Sequence, residues 1–471
     1  MADEHPQSAA DLTYTWPQAG IWAGVARCDV TPPVGIYARM WGAASHDRAE
    51  GVHRPITATV LAFRRAPDAA PLLLISLDWV FIAGADELAL LREPLLELAA
   101  NDTARILFAC THTHATGLMA LARGELPGGE MIRPYLEQTR DQVAAAAQQA
   151  LAQSQQTRAM LTWARGKCLL AANRDQPAPH EPRELSGFNP RGKADDALLV
   201  GRLTDDRDDR PLATLVNYAC HATTLGWENR LLSPDYIGAL REMVESATRG
   251  APCAFLQGAS GELAPQRQYV ADPAVADAHG RQLGHAVLAA LASLPPPRQR
   301  LVFERVVESG SPLGVWKLES CEPPSAVEAT QLDVALPLKP SPPVETLERE
   351  LASQQDRVQR ERLRRQITRV RQVGTGPSAR IPAWVWRIGD TLLLAHPNEA
   401  YSELQRRLRD TFPEHAVVVM NVTNGWNGYL YPQTMDGRNS YPVWQSPFTA
   451  NALATLTDQA QAELKSLVYG L

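Results

Sequence analysis

Four stretches of this chain hold side chains that could work together on a metal or a substrate. The first is Thr111-His112-Thr113-His114, at the end of the apolar run ILFAC. Residues i and i+2 of a strand share a face, so the two imidazoles are expected to project together from a strand end. The second is His221, which closes a second apolar run in VNYACHATT. The third is Glu399 in LLLAHPNEAY, with His396 three residues before it as a further imidazole candidate. The fourth is the Gly-, Asn- and aromatic-rich segment NGWNGYLYP, from Asn424. Two such strand ends could meet in one sheet and offer three imidazoles, and zinc takes imidazole nitrogens readily and needs three or four ligands. Each piece also has a plainer reading. HxH can be two hydrogen-bonded histidines, a lone His is often structural, and an acid ahead of a helix favours the helix dipole.

Asp78 ends one apolar strand, and Asp235 stands before a helix in LLSPDYIG. Each could orient a ligating histidine from behind, and Asp235 could equally cap its helix. Cys110 shares the face of His112 and reads as a core thiol, since nothing beside it would lower its pKa. The sequence holds no G-x-S-x-G elbow, no P-loop and no H-E-x-x-H.

The elements that must position these groups alternate in type. Apolar runs at 71–82, 106–114, 160–168, 197–203, 212–221 and 253–257 read as buried strands. Helical patterns fall at 86–100, 131–155, 236–248 and 275–294. From 300 to 340 β-type segments dominate, followed by one long charged helix over 344–373. That helix would be a surface element with one buried stripe, a lid over the site or a homo-oligomer contact. IPAWVWRIGDTLLLAHP then reads as two strands turning at Gly389-Asp390, with a helix over 400–410, a strand from Ala416 and a last helix over 449–468. The fold class expected is α/β, with mixed sheets flanked by helices. Residues 1–20 read as a loose arm, 21–471 as one catalytic domain, and about 300–375 as an inserted subdomain.

The 471 residues are 45% hydrophobic, enough for a substantial core. A net charge of −6 disfavours a nucleic-acid partner. The six cysteines form no CxxC pair and are expected to be reduced. The first residues have neither the basic start nor the apolar stretch of a secretory signal, and no run is long enough to span a membrane. A cytoplasmic location without a stable membrane anchor is the expectation.

Taken in order, several blocks resemble the neutral (non-lysosomal) ceramidase family. They are GVARCDVTPPVG, EGVHRPITATVLAF, SLDW, CTHTHATG, AANRD, VNYACHATT, LLSPDYIG, FLQGASGELAPQ, HPNEAYSELQRRLR and TNGWNGYLYP. They run from about Gly24 to about Pro432. The resemblance implies a ceramidase-like catalytic domain that binds Zn2+ through His112, His221, Glu399 and Tyr429. It places His114, and with it Tyr431, in catalysis, and Arg174 near the substrate. It implies hydrolysis of an amide bond by metal-activated water.

Three departures bear on the substrate. The family follows HTH with Ser-Gly-Pro and glycines, whereas this chain has Ala115-Thr116-Gly117-Leu118-Met119. The family's C-terminal β-sandwich domain and a secretion signal are both expected to be missing. A small-molecule amide other than ceramide is therefore the expected substrate. A zinc esterase or lactonase, a non-catalytic metal-stabilised binding protein, and Fe, Mn or Co in place of zinc are the alternatives.

Overall fold

The computed structural model describes residues 12–470. Two sheets carry the fold. The larger has eight strands, in the spatial order Cys253–Gln257, Pro211–Tyr218, Ala197–Asp205, Arg158–Lys167, Gln18–Asp29, Thr57–Arg64, Leu72–Leu77, Ile106–Cys110. Its two outermost pairs are parallel and its interior pairs antiparallel. The smaller has four strands, in the order Val327–Pro337, Ser378–Ile388, Thr391–Ala395, Ala416–Met420. The mixed α/β architecture is the one expected.

Alternation along the strands places the sheets face to face. Leu61, Phe63, Leu72 and Leu74 point inward and meet Trp384, Trp386, Leu393 and Val418 of the smaller sheet. Their neighbours Val60, Ala62, Leu73 and Ile75 point outward, under α1 (Ala85–Leu96) and α2 (Ile132–Ser154). On the same outer face, α3 (Tyr236–Ala247) and α4 (Pro273–Ala292) cover the other half of the sheet. Strand side chains have period two, so each strand feeds two cores, and near-continuous apolar runs are the result.

The strand pair read at Gly389-Asp390 is present, with Ile388 facing Thr391 across the turn. The long charged helix expected over 344–373 is instead two helices. α5 (Val344–Ser353) ends before Gln354, and α6 (Arg357–Val373) starts on Asp356, whose carboxylate accepts from Gln359 N at 2.7 Å. An Asp with extended backbone is a strong helix start, and it overrides an apolar stripe that stays in phase across the break. Of the stretch 300–375, Gln299–Glu308 and Pro312–Ser320 form a hairpin, and Val327–Pro337 is the edge strand of the smaller sheet. Of residues 1–20, positions 1–11 lie outside the described residues, Thr13–Thr15 pairs with that hairpin, and Gln18 opens a central strand. A last pair of helices, α7 (Glu403–Thr411) and α9 (Asn451–Tyr469), covers the smaller sheet, with the short α8 (Tyr441–Gln445) between them in sequence. No helix among the described residues is long and apolar enough to cross a membrane.

α2 lies almost in contact with the backbone of Gln18–Asp29. A Cβ on Gly24 would stand 1.9 Å from Ala150 O and 2.7 Å from Ser154 N. Backbone atoms cannot yield as a side-chain tip can, so Gly24→Ala is expected to lift the helix and destabilise the protein by about 3 kcal/mol. Urea unfolding measures it; a loss under about 0.5 kcal/mol would contradict this packing.

Candidate metal centre

The centre lies where both sheets end. His112 follows Ile106–Cys110, and His221 follows Pro211–Tyr218, in the larger sheet. Glu399 follows Thr391–Ala395, and Trp426 follows Ala416–Met420, in the smaller. All four strands present their C-terminal ends, the usual location of sites in α/β proteins. A bridge between Thr113 and Ala222 ties the two histidine loops together. The Asn424 side chain accepts from Phe108 N at 2.8 Å and donates to Ile106 O at 3.0 Å, locking the smaller sheet's loop onto the larger sheet's edge.

His112 and His114 do converge, but not by the strand alternation expected. The strand stops at Cys110, His112 has φ +66°, and residues His114–Thr116 form a tight turn. A left-handed conformation at a non-glycine is strained and is held by its surroundings. Here His112 N donates to Trp79 O at 2.9 Å and its Nδ1 contacts Val80 O at 2.7 Å.

One potential ligand atom from each of His112, His114 and His221 lies within 4.8 Å of the others. His221 Nδ1 is 2.8 Å from Ser260 O and 3.1 Å from Leu263 O. Main-chain carbonyls thus orient both ligand-type imidazoles. A carbonyl can only accept, so each Nδ1 carries the proton and each Nε2 turns a lone pair toward the centre. Glu399 Oε2 stands 2.8 Å from His221 Nε2 and 3.3 Å from His112 Nε2. Its Oε1 accepts from Trp426 Nε1 at 2.6 Å. Burial, then Arg174, lower the pKa of His221 to about 3.

Glu399 and Tyr429 face each other across a short parallel pair. The buried Arg174 donates to Tyr429 Oη at 2.9 Å and twice to Gly261 O. His114 lies over Trp41, ring centres 5.1 Å apart, and its Nε2 has no hydrogen-bond partner among the described residues. A cavity of about 460 Å3 opens onto the centre. His112, His114, Arg174, Glu399, Trp426 and Tyr429 line its inner part.

Several expected residues are elsewhere. Tyr431 is not brought to the centre: its hydroxyl donates to Phe448 O at 3.3 Å, and Lys339 Nζ sits 4.7 Å from its ring centre. The short strand ends at Leu430, so the period that would have put Tyr431 beside Tyr429 is lost. His396 is buried outside the histidine cluster, its Nδ1 accepting from Asn398 N at 3.3 Å. Asp78 orients no histidine; it is paired with Arg241 at 2.7 Å and accepts from Thr57 N. Asp235 caps α3, accepting from Tyr236 N at 2.7 Å and from Leu225 N at 2.9 Å. Cys110 is a buried thiol whose pKa desolvation raises. Trp426 was missed as a functional residue, although it sits inside the segment NGWNGYLYP. Nothing in the sequence points to the carbonyls of Val80 and Ser260.

This arrangement defines the class. The chain has the α/β fold of the neutral ceramidase catalytic region. It is similar to the neutral ceramidase from Pseudomonas aeruginosa, with a TM-score of 0.63, 16% identity, and coverage of 96% of this chain and 75% of that one. A ceramidase complexed with C2 is equally similar, with a TM-score of 0.63, 15% identity, and coverage of 97% and 76%. No protein-family profile and no curated protein sequence matches the chain. At such identities the likeness establishes the fold.

Asp78 touches Arg241 and Thr57 and no histidine, so its role is predicted to be stability. Asp78→Ala leaves a buried guanidinium unpaired and is expected to cost about 3–5 kcal/mol in chemical unfolding. A loss below about 1 kcal/mol would show that Arg241 finds another partner.

Proposed function

We propose that the chain is a zinc-dependent amide hydrolase, with the metal held by His112, His221 and Glu399 and with Tyr429 as the fourth donor. One observation carries the reading. A carboxylate oxygen faces the Nε2 atoms of two imidazoles whose protons are committed to backbone carbonyls. The carboxylate oxygen lies 2.8 and 3.3 Å from the two lone-pair nitrogens in a buried site, and such electron-rich contacts repel unless a cation is shared between them. Zinc accepts this mixture of nitrogen and oxygen donors. Burial holds the Tyr429 pKa well above its ordinary value, and the hydrogen bond from Arg174 at 2.9 Å works against that, so a bound cation would have to complete the loss of its proton. Both solved neighbours bear the name ceramidase.

A bound divalent ion supplies Lewis acidity to an attacking water and to the amide carbonyl. His114 takes no part in holding it. Packed on Trp41, lining the cavity and with Nε2 unpaired among the described residues, it stands where it can hydrogen-bond the tetrahedral intermediate and pass a proton to the departing amine. Arg174 braces Tyr429 and lines the substrate space. Trp426 fixes the second oxygen of Glu399, leaving one oxygen for the centre. The substrate is a small-molecule amide other than ceramide, because the loop Ala115–Met119 differs from the family's pattern.

The test is elemental analysis beside amine release from N-acyl substrates. Near-stoichiometric zinc is expected in wild type and His114→Ala, and little in His221→Ala. Chelation should abolish hydrolysis and added zinc restore it, while His114→Ala should lower turnover by about 100-fold or more. Folded wild-type protein without metal would sink the proposal. Loss of metal from His114→Ala as complete as from His221→Ala would replace the donor set with three imidazoles.

A further inference from the structure

The outer part of the cavity carries charge that the amide chemistry does not use. α6 turns one face toward it, presenting Val358, Glu361, Arg362 and Arg365. Glu361 is the acid on that face, and it is already shared: Arg123 binds it at 2.8 and 3.0 Å and Arg365 at 2.9 Å. Arg365 is occupied further by Met40 O and Tyr441 Oη. Of the other lining carboxylates, Glu184 is paired with Arg438 at 2.6 Å, and Glu399 belongs to the inner centre, facing His221 and His112. Arg183 is paired with Glu181 at 2.7 Å.

Two lining guanidiniums remain without a carboxylate within 4.0 Å among the described residues, Arg174 and Arg362. Arg174 satisfies its donors on Gly261 O and Tyr429 Oη. The Arg362 side chain makes no hydrogen bond among the described residues; its guanidinium lies 5.3 Å from the ring centre of Trp444, which holds it at the mouth. One further cation lies behind that wall. Arg369, two turns along α6, is buried against Trp426 at 5.6 Å, with Gln445 as its polar partner and no acid. The mouth therefore combines exposed aromatic surface, Trp227 and Trp444, with positive charge that no carboxylate among the described residues pairs with.

We propose that the substrate is an amide bearing an anionic group, a carboxylate or its equivalent, seated on Arg362 beside Trp444. A planar guanidinium braced on an indole is pre-organised for a two-point contact with a carboxylate, which an ammonium cannot reproduce in geometry. Arg362 is thus a specificity-determining residue, and Glu361 and Arg365 hold α6 over the cavity. This rests on the amide hydrolase reading, and the experiment separates the two.

The measurement compares kcat/KM for two acids and their neutral partners, N-octanoylglycine against N-octanoylglycinamide and hippurate against hippuramide. Wild-type, Arg362→Gln and Arg362→Lys proteins are assayed with zinc present and melting temperatures matched. At least one acid is expected to be preferred about tenfold by wild type. The ratio should fall toward one in Arg362→Gln and recover partly in Arg362→Lys. A ratio near one in wild type, or one unchanged by Arg362→Gln, overturns the proposal. If no compound is cleaved, the hydrolase reading fails and calorimetric binding of the same pairs decides the anion site. Tighter binding of an acid, lost in Arg362→Gln, supports it; equal binding of acid and amide refutes it.

Discussion

A buried carboxylate facing two imidazole lone pairs is the constraint around which the molecule is organised. Glu399 is nearly inaccessible, and a charge there is tolerated only if cations or strong donors surround it. Its neighbours come from every part of the chain: His112 and His221 from the larger sheet, and Trp426 and Tyr429 from loops of the smaller one. The sheets must therefore pack in one register for the site to exist at all. The inward rows of Leu61, Phe63, Trp384 and Trp386 supply that register.

Local strain accompanies this arrangement. His112, Val422 and Asn424 all have positive φ, and for a β-branched valine that is a true outlier. Each lies in a loop that turns from a strand end toward the centre, and each is held by backbone hydrogen bonds: His112 N to Trp79 O, Val422 N to Asn398 O, Asn424 N to Phe108 O. Phe81 stacks on Trp426 at 4.7 Å, filling the seam between the two sheets' loops. α6 then closes the outside through the Arg123–Glu361–Arg365 network. The inner cavity is shaped by strand ends and the mouth by a helix.

Much of this was legible in the sequence, for definite reasons. Strands that face two cores are apolar on both sides, so Leu72–Leu77 and Ile106–Cys110 announce themselves. The turn at Gly389-Asp390 follows from local backbone chemistry. His112, His221 and Glu399 stand out because each follows an apolar run, whereas Tyr429 is singled out only by the family resemblance, since its segment alone reads as a loop. What failed was geometry that depends on distant backbone. His112 reaches the centre through a left-handed residue rather than along a strand face, and the carbonyls that orient the imidazoles have no signature in side-chain identity. Asp78 looks like a histidine orienter until Arg241 is found beside it. Tyr431 looks equivalent to Tyr429 until the strand ends between them. The helix break at Asp356 was signalled by a capping residue, but the continuous apolar stripe concealed it.

The central claim concerns a cation between Glu399 and the two imidazoles, and anomalous diffraction at the zinc edge from crystals of the purified protein tests it most directly. The account predicts a single strong peak bounded by His112 Nε2, His221 Nε2 and a Glu399 oxygen, with Tyr429 Oη at the fourth position and His114 outside bonding distance. No peak in a well-ordered site, or a peak bound by His114 with Glu399 turned away, would contradict it.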